Sequence, residues 1–247
     1  MKTILIIGDS WGVPNYEGPK LGADPSESLE YRLRKLGYKV YNCALNGASN
    51  SRTVDLAKAY LSGNVVTLEP VRLVNNLHKL SSPTVIDVVN PKIDHVIWFH
   101  TESLRAFFDY QTKSKTMVEN LDHGYRKEYE HVKEFLQTLN AHLTVIGGQS
   151  PIYKKFFYEY FKPDFIIEDW RSEIVGRKLP EIHWLTHPIW IDDCADDKDT
   201  KLNMANISME IIDAMINCRD FIDNCHPGPE PHRLLTQQLH KLFMDPL

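Results

Sequence analysis

The chain is predicted to fold as an α/β protein, a three-layer α/β/α sandwich around a mostly parallel sheet. Three observations lead there. Short apolar runs rich in β-branched residues, such as Ile4–Ile7 and Leu143–Ile146, recur along the chain and suit strands buried on both faces. They alternate with longer stretches of helical periodicity, as a layered α/β domain requires. Several strands stop abruptly at small and polar residues: Gly8-Asp9-Ser10, Asn46-Gly47-Ala48-Ser49-Asn50 and His100-Thr101-Glu102-Ser103. In such a sheet these turns gather at one edge, where ligands bind.

The elements follow in order. Ile4–Ile7 is the opening strand, and Val13–Asp24, with two prolines and two glycines, is a loop. Ser26–Leu36 reads as a helix with Leu29, Leu33 and Leu36 on one face, Ser26 as cap and Gly37 as stop. Tyr38–Ala44 is the second strand, completing a right-handed β-α-β unit. Helices are expected over Arg52–Leu61 and Glu69–Leu80, and a third strand over Ile93–Phe99. Val118–Leu139 is a long charged helix whose stripe is Tyr125, Tyr129, Val132, Phe135, Leu136 and Leu139. Leu143–Gly147 is the fourth strand. From Gln149 to Thr200 the pattern is irregular and aromatic-rich, with a fifth strand expected at Glu181–Leu185. Asn203–Cys218 and His232–Phe243 are helices, separated by a loop over Asp220–Pro231. The result is a flavodoxin-like five-stranded sheet. The 247 residues, 43% hydrophobic, can bury one core, and without repeats or linkers residues 1–247 read as a single domain.

Composition excludes several functions. A net charge of −5 with scattered basic residues argues against nucleic acid as a partner. Cys43, Cys194, Cys218 and Cys225 lie far apart and read as free thiols of a reducing compartment. No stretch is long and apolar enough to span a membrane. The apolar run after Lys2 is too short for a signal peptide. The expectation is a soluble, cytoplasmic protein, with assembly into a larger particle left open.

A serine at the end of a buried strand is placed to be a nucleophile. It needs a base, a group to orient that base, and donors for an oxyanion. Asp223-Asn224-Cys225-His226 supplies a pair: an Asp three residues before a His can reach its Nδ1 and leave Nε2 free. Pro227, Gly228 and Pro229 hold that segment as a loop, which suits a site residue at a sheet rim. Alone, such a pair is more often an ordinary surface loop.

The combination is more specific. Gly8-Asp9-Ser10 near one end, Gly47-x-Ser49-Asn50 after the second strand and Asp223-x-x-His226 near the other end resemble the SGNH/GDSL hydrolase family over the full length of the chain. The resemblance implies a serine esterase acting on a small-molecule or carbohydrate ester. Ser10 would be the nucleophile and Asp223 and His226 its triad partners, with the backbone N–H groups of Ser10 and Gly47 as oxyanion donors. It implies no cofactor.

One block departs from the family. Where the family usually carries an Asn side chain as third oxyanion donor, this chain has Glu102. A carboxylate about 4 Å from a developing oxyanion would cost on the order of 4 kcal/mol at an effective dielectric near 20. Either Glu102 is protonated and donates, or it turns away and Asn50 or His100 donates instead, or the site is impaired. The last leads to a different class of protein: a non-catalytic or weakly active SGNH-fold binding or structural protein.

Remaining candidates have ordinary readings. His183, His187 and the acidic run from Asp192 to Asp197 match no metal-ligand spacing and read as a solvated loop. Of the five tryptophans, Trp11 beside the nucleophile is the pocket candidate; the others read as packing. Cys225 cannot readily be activated by its own neighbour His226. No glycine-rich dinucleotide or triphosphate loop occurs. The opening strand also resembles that of a signalling receiver, but Phe99-His100 stands where such a domain needs an Asp.

Overall fold

The protein's structure, a computed structural model, describes residues 1–9, 12, 17–18, 21–22, 28–45, 48–63, 89–101, 117–147, 152, 154–168 and 229–244. Its elements in chain order are β1 (Thr3–Gly8), β2 (Glu17–Gly18), β3 (Leu21–Gly22), α1 (Leu29–Lys35), β4 (Lys39–Asn42), α2 (Asn50–Leu61), β5 (His95–His100), α3 (Met117–Leu139), β6 (His142–Gly147), α4 (Lys154–Tyr160), β7 (Phe165–Ile167) and α5 (Pro229–Met244). The predicted helices Glu69–Leu80 and Asn203–Cys218 and the strand at Glu181–Leu185 lie outside the described residues.

Five strands form one sheet in the order β4-β1-β5-β6-β7, every neighbouring pair parallel. The predicted α/β sheet is therefore wholly parallel. β2 and β3 pair antiparallel as a separate two-stranded piece, inside the stretch expected to be loop.

Alternation along the central strands explains the layers, because successive side chains point to opposite faces. Ile4 and Ile6 of β1 join Leu29 and Leu33 of α1 and Leu235, Leu239 and Phe243 of α5 in one core. Leu5 and Ile7 join Val54 and Ala57 of α2, Tyr129, Val132 and Phe135 of α3, and Phe157 of α4 in the other. Among the described residues two helices cover one face and three the other. Tyr129, Val132 and Phe135 are buried and Leu136 and Leu139 pack against them, so this part of the α3 stripe falls as the periodicity predicts, while the Tyr125 side chain lies outside the described residues.

Three predicted elements need correction. The stretch read as irregular contains a strand of the sheet, Phe165–Ile167, with α4 before it; the predicted strand at Glu181–Leu185 lies outside the described residues. α1 is capped by Ser28, whose Oγ accepts from Tyr31 N at 3.2 Å, and not by Ser26. Gly37, at φ +88°, ends it as expected. The last helix begins at Pro229, three residues before the predicted His232. Prolines are tolerated in a first turn because the N–H they lack has no intrahelical partner there.

The direction of α5 matters most for function. Its last turns sit at the amino ends of the strands. The Phe243 ring stacks on His95, the first residue of β5, at 4.2 Å, and His240 Nδ1 shares a 2.8 Å hydrogen bond with the hydroxyl of Tyr38, just before β4. The carbonyl of Phe243 also accepts from Lys2 Nζ. α5 therefore runs antiparallel to the strands, and its 16 residues, about 24 Å long, bring its N-terminus to their carboxyl ends.

Candidate functional site at the carboxyl edge

The strand order fixes where a ligand crevice lies. From β1 the chain crosses to β4 on one side and then to β5 on the other, so connections leave β1 and β5 in opposite directions. In open parallel sheets the crevice opens at that switch point, outside the carboxyl ends. Here it is flanked by Gly8-Asp9 and by His100-Thr101.

The walls of this crevice are closely tied together. Pairing of β4 with β1 continues past the strand ends through Cys43 N to Ile6 O at 2.7 Å and Leu45 N to Gly8 O at 2.9 Å. The chain leaves β1 at Asp9, itself buried, and is held again at Gly12, whose N–H donates to Asp9 O at 3.1 Å. Gly12 O in turn accepts from Asn42 Nδ2 at 2.8 Å. After β4, Ala48 N donates to Leu45 O at 3.1 Å, and Ser49 caps α2 by accepting from Arg52 N.

Asn50, the first residue of α2, is fully buried. Its Oδ1 accepts from Trp98 Nε1 at 2.9 Å and from Thr101 N at 3.0 Å, while its Nδ2 donates to Thr101 O at 3.1 Å. Its main-chain N–H donates to Glu128 Oε1 at 2.7 Å, and Ser51 N reaches the same oxygen at 3.4 Å. A fully buried carboxyl group from α3 thus satisfies N–H groups that the start of α2 would otherwise leave open.

His100 ends β5 on the α3 side. Its Nε2 shares a 2.7 Å hydrogen bond with the Tyr129 hydroxyl, and its ring lies among those of Trp98, Tyr129 and Phe157. Burial pushes its pKa down to about 3, so the imidazole is neutral. Its Nδ1 has no hydrogen-bond partner among the described residues.

Of the predicted site residues, Asn50 is described; Ser10, Trp11, Gly47, Glu102, Asp223 and His226 lie outside the described residues. So do His183, His187 and the acidic run from Asp192. What is described is the frame next to them: Asp9 and Gly12, Ala48, Thr101, and the start of α5. Sequence reasoning missed Glu128, Tyr129 and the polar role of Trp98. Glu128 sits among Arg126, Lys127 and Glu130, which look like any solvated helix face. Among the described residues no group of three His, Cys, Asp or Glu side chains could hold a metal ion, and no helix is long and apolar enough to cross a membrane.

The sheet defines the class of protein: a three-layer α/β/α fold with a parallel five-stranded sheet whose topological switch point lies between β1 and β5. No family model matches the chain, and no curated protein matches it. Among solved structures it is similar to a carbohydrate esterase, at 12% identity and a TM-score of 0.41, over 98% of this chain and 64% of that one. The chain thus spans less than two thirds of that protein. It is also similar to TesA, at 11% identity and 0.38, over 85% and 97% of the two chains. A variant of the esterase AlinE4 aligns at 12% and 0.43, over 88% and 96%.

Proposed function

We propose that the chain is a serine ester hydrolase of the SGNH/GDSL type, removing a short acyl group, such as acetyl, from a carbohydrate or other small molecule. Ser10 Oγ attacks the ester carbonyl carbon as its proton passes to His226 Nε2, and Asp223 holds the imidazole by Nδ1. The N–H groups of Ser10 and Gly47 receive the oxyanion. Collapse of the tetrahedral intermediate breaks the ester C–O bond, and the alcohol leaves with the proton from His226. Water, deprotonated by the same His, then releases the acid and frees Ser10. Trp11 borders the acyl group, and Asn50 and Glu102 belong to the oxyanion side. Residues 1–247 act as one domain.

The observation that carries this reading is the convergence of chain segments on one edge. Asp9, immediately before Ser10, follows β1; Ala48, immediately after Gly47, precedes α2; and Thr101, immediately before Glu102, follows β5. The antiparallel course of α5 brings Pro229 to that same edge. Three residue steps separate His226 from Pro229, a reach of at most about 10 Å. Segments from opposite ends of the sequence are thus anchored beside a single crevice, as a triad assembled from distant blocks needs.

The test is hydrolysis of 4-nitrophenyl acetate by the wild-type protein and by Ser10→Ala. Loss of a nucleophile lowers kcat on the order of a thousandfold or more, and a fluorophosphonate probe labels Ser10 in the wild type alone. Equal rates in the two proteins would overturn the assignment. An unlabelled, folded wild type would favour a binding protein built on the same fold.

A further inference from the structure

Thr101 is buried just beyond the last paired residues of β5: Phe99 is in register with Gly8 of β1, and His100 with Gly147 of β6. At Thr101 one carboxamide takes over the role of a strand neighbour. Asn50 Oδ1 accepts its N–H and Asn50 Nδ2 donates to its carbonyl. A carboxamide has the donor and acceptor of a peptide group, so it adds one rung to the ladder after the strand has ended. The same oxygen holds the Trp98 indole N–H, and the backbone of Asn50 is fixed by Glu128 and, through its carbonyl, by Thr53 Oγ1 at 3.1 Å. Asn50 is therefore bonded at both ends of its own structure, with no slack in either.

We infer that Asn50 is a positioning residue that locks the chain leaving β5 to the start of α2. It sets the distance between Thr101, the residue before Glu102, and the start of α2, three residues after Gly47. These adjoin two arms of the oxyanion side in the esterase reading, on which the catalytic consequence rests; the positional lock itself does not depend on it. This gives Asn50 a different task from that of a direct oxyanion donor. Its carboxamide is turned to Trp98 and Thr101 in the protein interior.

The experiment compares wild type with Asn50→Ala and Asn50→Asp. Amide hydrogen exchange at Thr101 reads the lock and does not need activity. It is expected to speed up on the order of a hundredfold in Asn50→Ala, while Val96 and Trp98 inside the ladder keep their protection. The Trp98 indole N–H resonance should move in the same variant. Asn50→Asp preserves volume and keeps its oxygens for Trp98 and the Thr101 N–H, but sets an anion against the Thr101 carbonyl. Its protection at Thr101 should return as pH is lowered and the carboxyl regains a proton to donate, a response that Asn50→Ala cannot show. For a Ser10-dependent esterase, kcat in Asn50→Ala falls on the order of a hundredfold with KM within about threefold.

Unchanged Thr101 exchange in Asn50→Ala overturns the lock. Altered exchange with kcat within twofold of wild type overturns its catalytic consequence. A wild type whose hydrolysis does not depend on Ser10 sinks the esterase reading instead, and Thr101 exchange alone then decides whether Asn50 is the lock. Should Asn50→Ala fail to fold, the pH response of Asn50→Asp decides.

Discussion

Gly8 lies in register with Phe99 on the neighbouring strand, and its φ of +133° is one that side chains rarely adopt. A Cβ at Gly8 would run into the Phe99 carbonyl oxygen and meet the Phe99 Cβ at 2.6 Å. The last residue of β1 therefore has to be glycine on two independent grounds, backbone conformation and space. This is the point where the chain turns off the sheet toward Asp9 and Ser10.

Gly8→Ala is accordingly expected to destabilise the protein by about 2–5 kcal/mol, the sum of a strained φ and an overpacked core contact. Guanidinium unfolding measures it. Ser10 follows two residues later, so in the esterase reading the rate of ester hydrolysis should fall further than stability accounts for, under conditions where the variant remains fully folded. An unfolding midpoint equal to wild type would mean that β1 can shift away from β5 at no cost, and the register given above would then be wrong.

Three histidines make a second prediction, on pH. His100 and His232 are held down to about 3, each mainly by burial, with Arg32 adding to the effect at His232. His95 is held to about 4 by burial first and then by the charges of Lys2 and His142. In the unfolded chain these groups take up protons near pH 6.5. Between pH 6.5 and the folded values, the unfolded state thus binds more protons than the folded one. Stability is in full force above pH 6.5 and is lost as pH falls. At pH 5 the loss is about 2 kcal/mol for each of the two fully buried rings. Denaturant titrations from pH 8 to pH 5 should show this decline, and His100→Phe should remove close to one proton from its slope. A flat profile would contradict neutral burial of these rings.

Much of the fold could be read from the residues, and the exceptions have physical causes. β1, β5 and β6 are largely apolar runs because both their faces are covered. β7 was hidden because its three residues, Phe165-Ile166-Ile167, follow the aromatic-rich Phe156–Phe161 and have no periodicity of their own. Pairing with β6 makes them a strand, and that is a tertiary fact. The start of α5 was hidden by Pro229 and Pro231, which suggest loop until one remembers that a first helical turn spends no N–H on itself. At the crevice, the polar turns marked the right edge of the sheet. What the residues did not disclose was which polar side chains turn inward. Asn50 reads as a polar turn residue and substitute oxyanion donor three places after Gly47, and Glu128 as one more charge on a helix; only the crossing of α2 and α3 buries the two against each other.

The last prediction concerns Glu102, which follows the locked Thr101 where the SGNH/GDSL pattern carries an Asn. In the esterase reading an anion at this position opposes the charge that builds on the substrate oxygen. At about 4 Å and an effective dielectric near 20 the repulsion is on the order of 4 kcal/mol, a ceiling of roughly a thousandfold in rate. Solvent and side-chain movement will relieve part of it. Glu102→Asn removes the charge and supplies the amide donor of the SGNH/GDSL pattern, one methylene shorter than Glu, so kcat/KM toward 4-nitrophenyl acetate should rise at least tenfold. Glu102→Gln removes the charge but carries its amide donor one methylene further out than the pattern's Asn, and should recover a smaller share. Stability should barely change in either, which unfolding curves will check. A fall in kcat/KM in both variants would reverse the conclusion, because the carboxylate would then be serving the reaction or holding the natural substrate. In that event the acyl acceptor or leaving group should carry a positive charge or several hydroxyl donors. A comparison of Glu102→Gln on amino-sugar and neutral-sugar acetates would tell which, since only the charged substrate loses an ion pair.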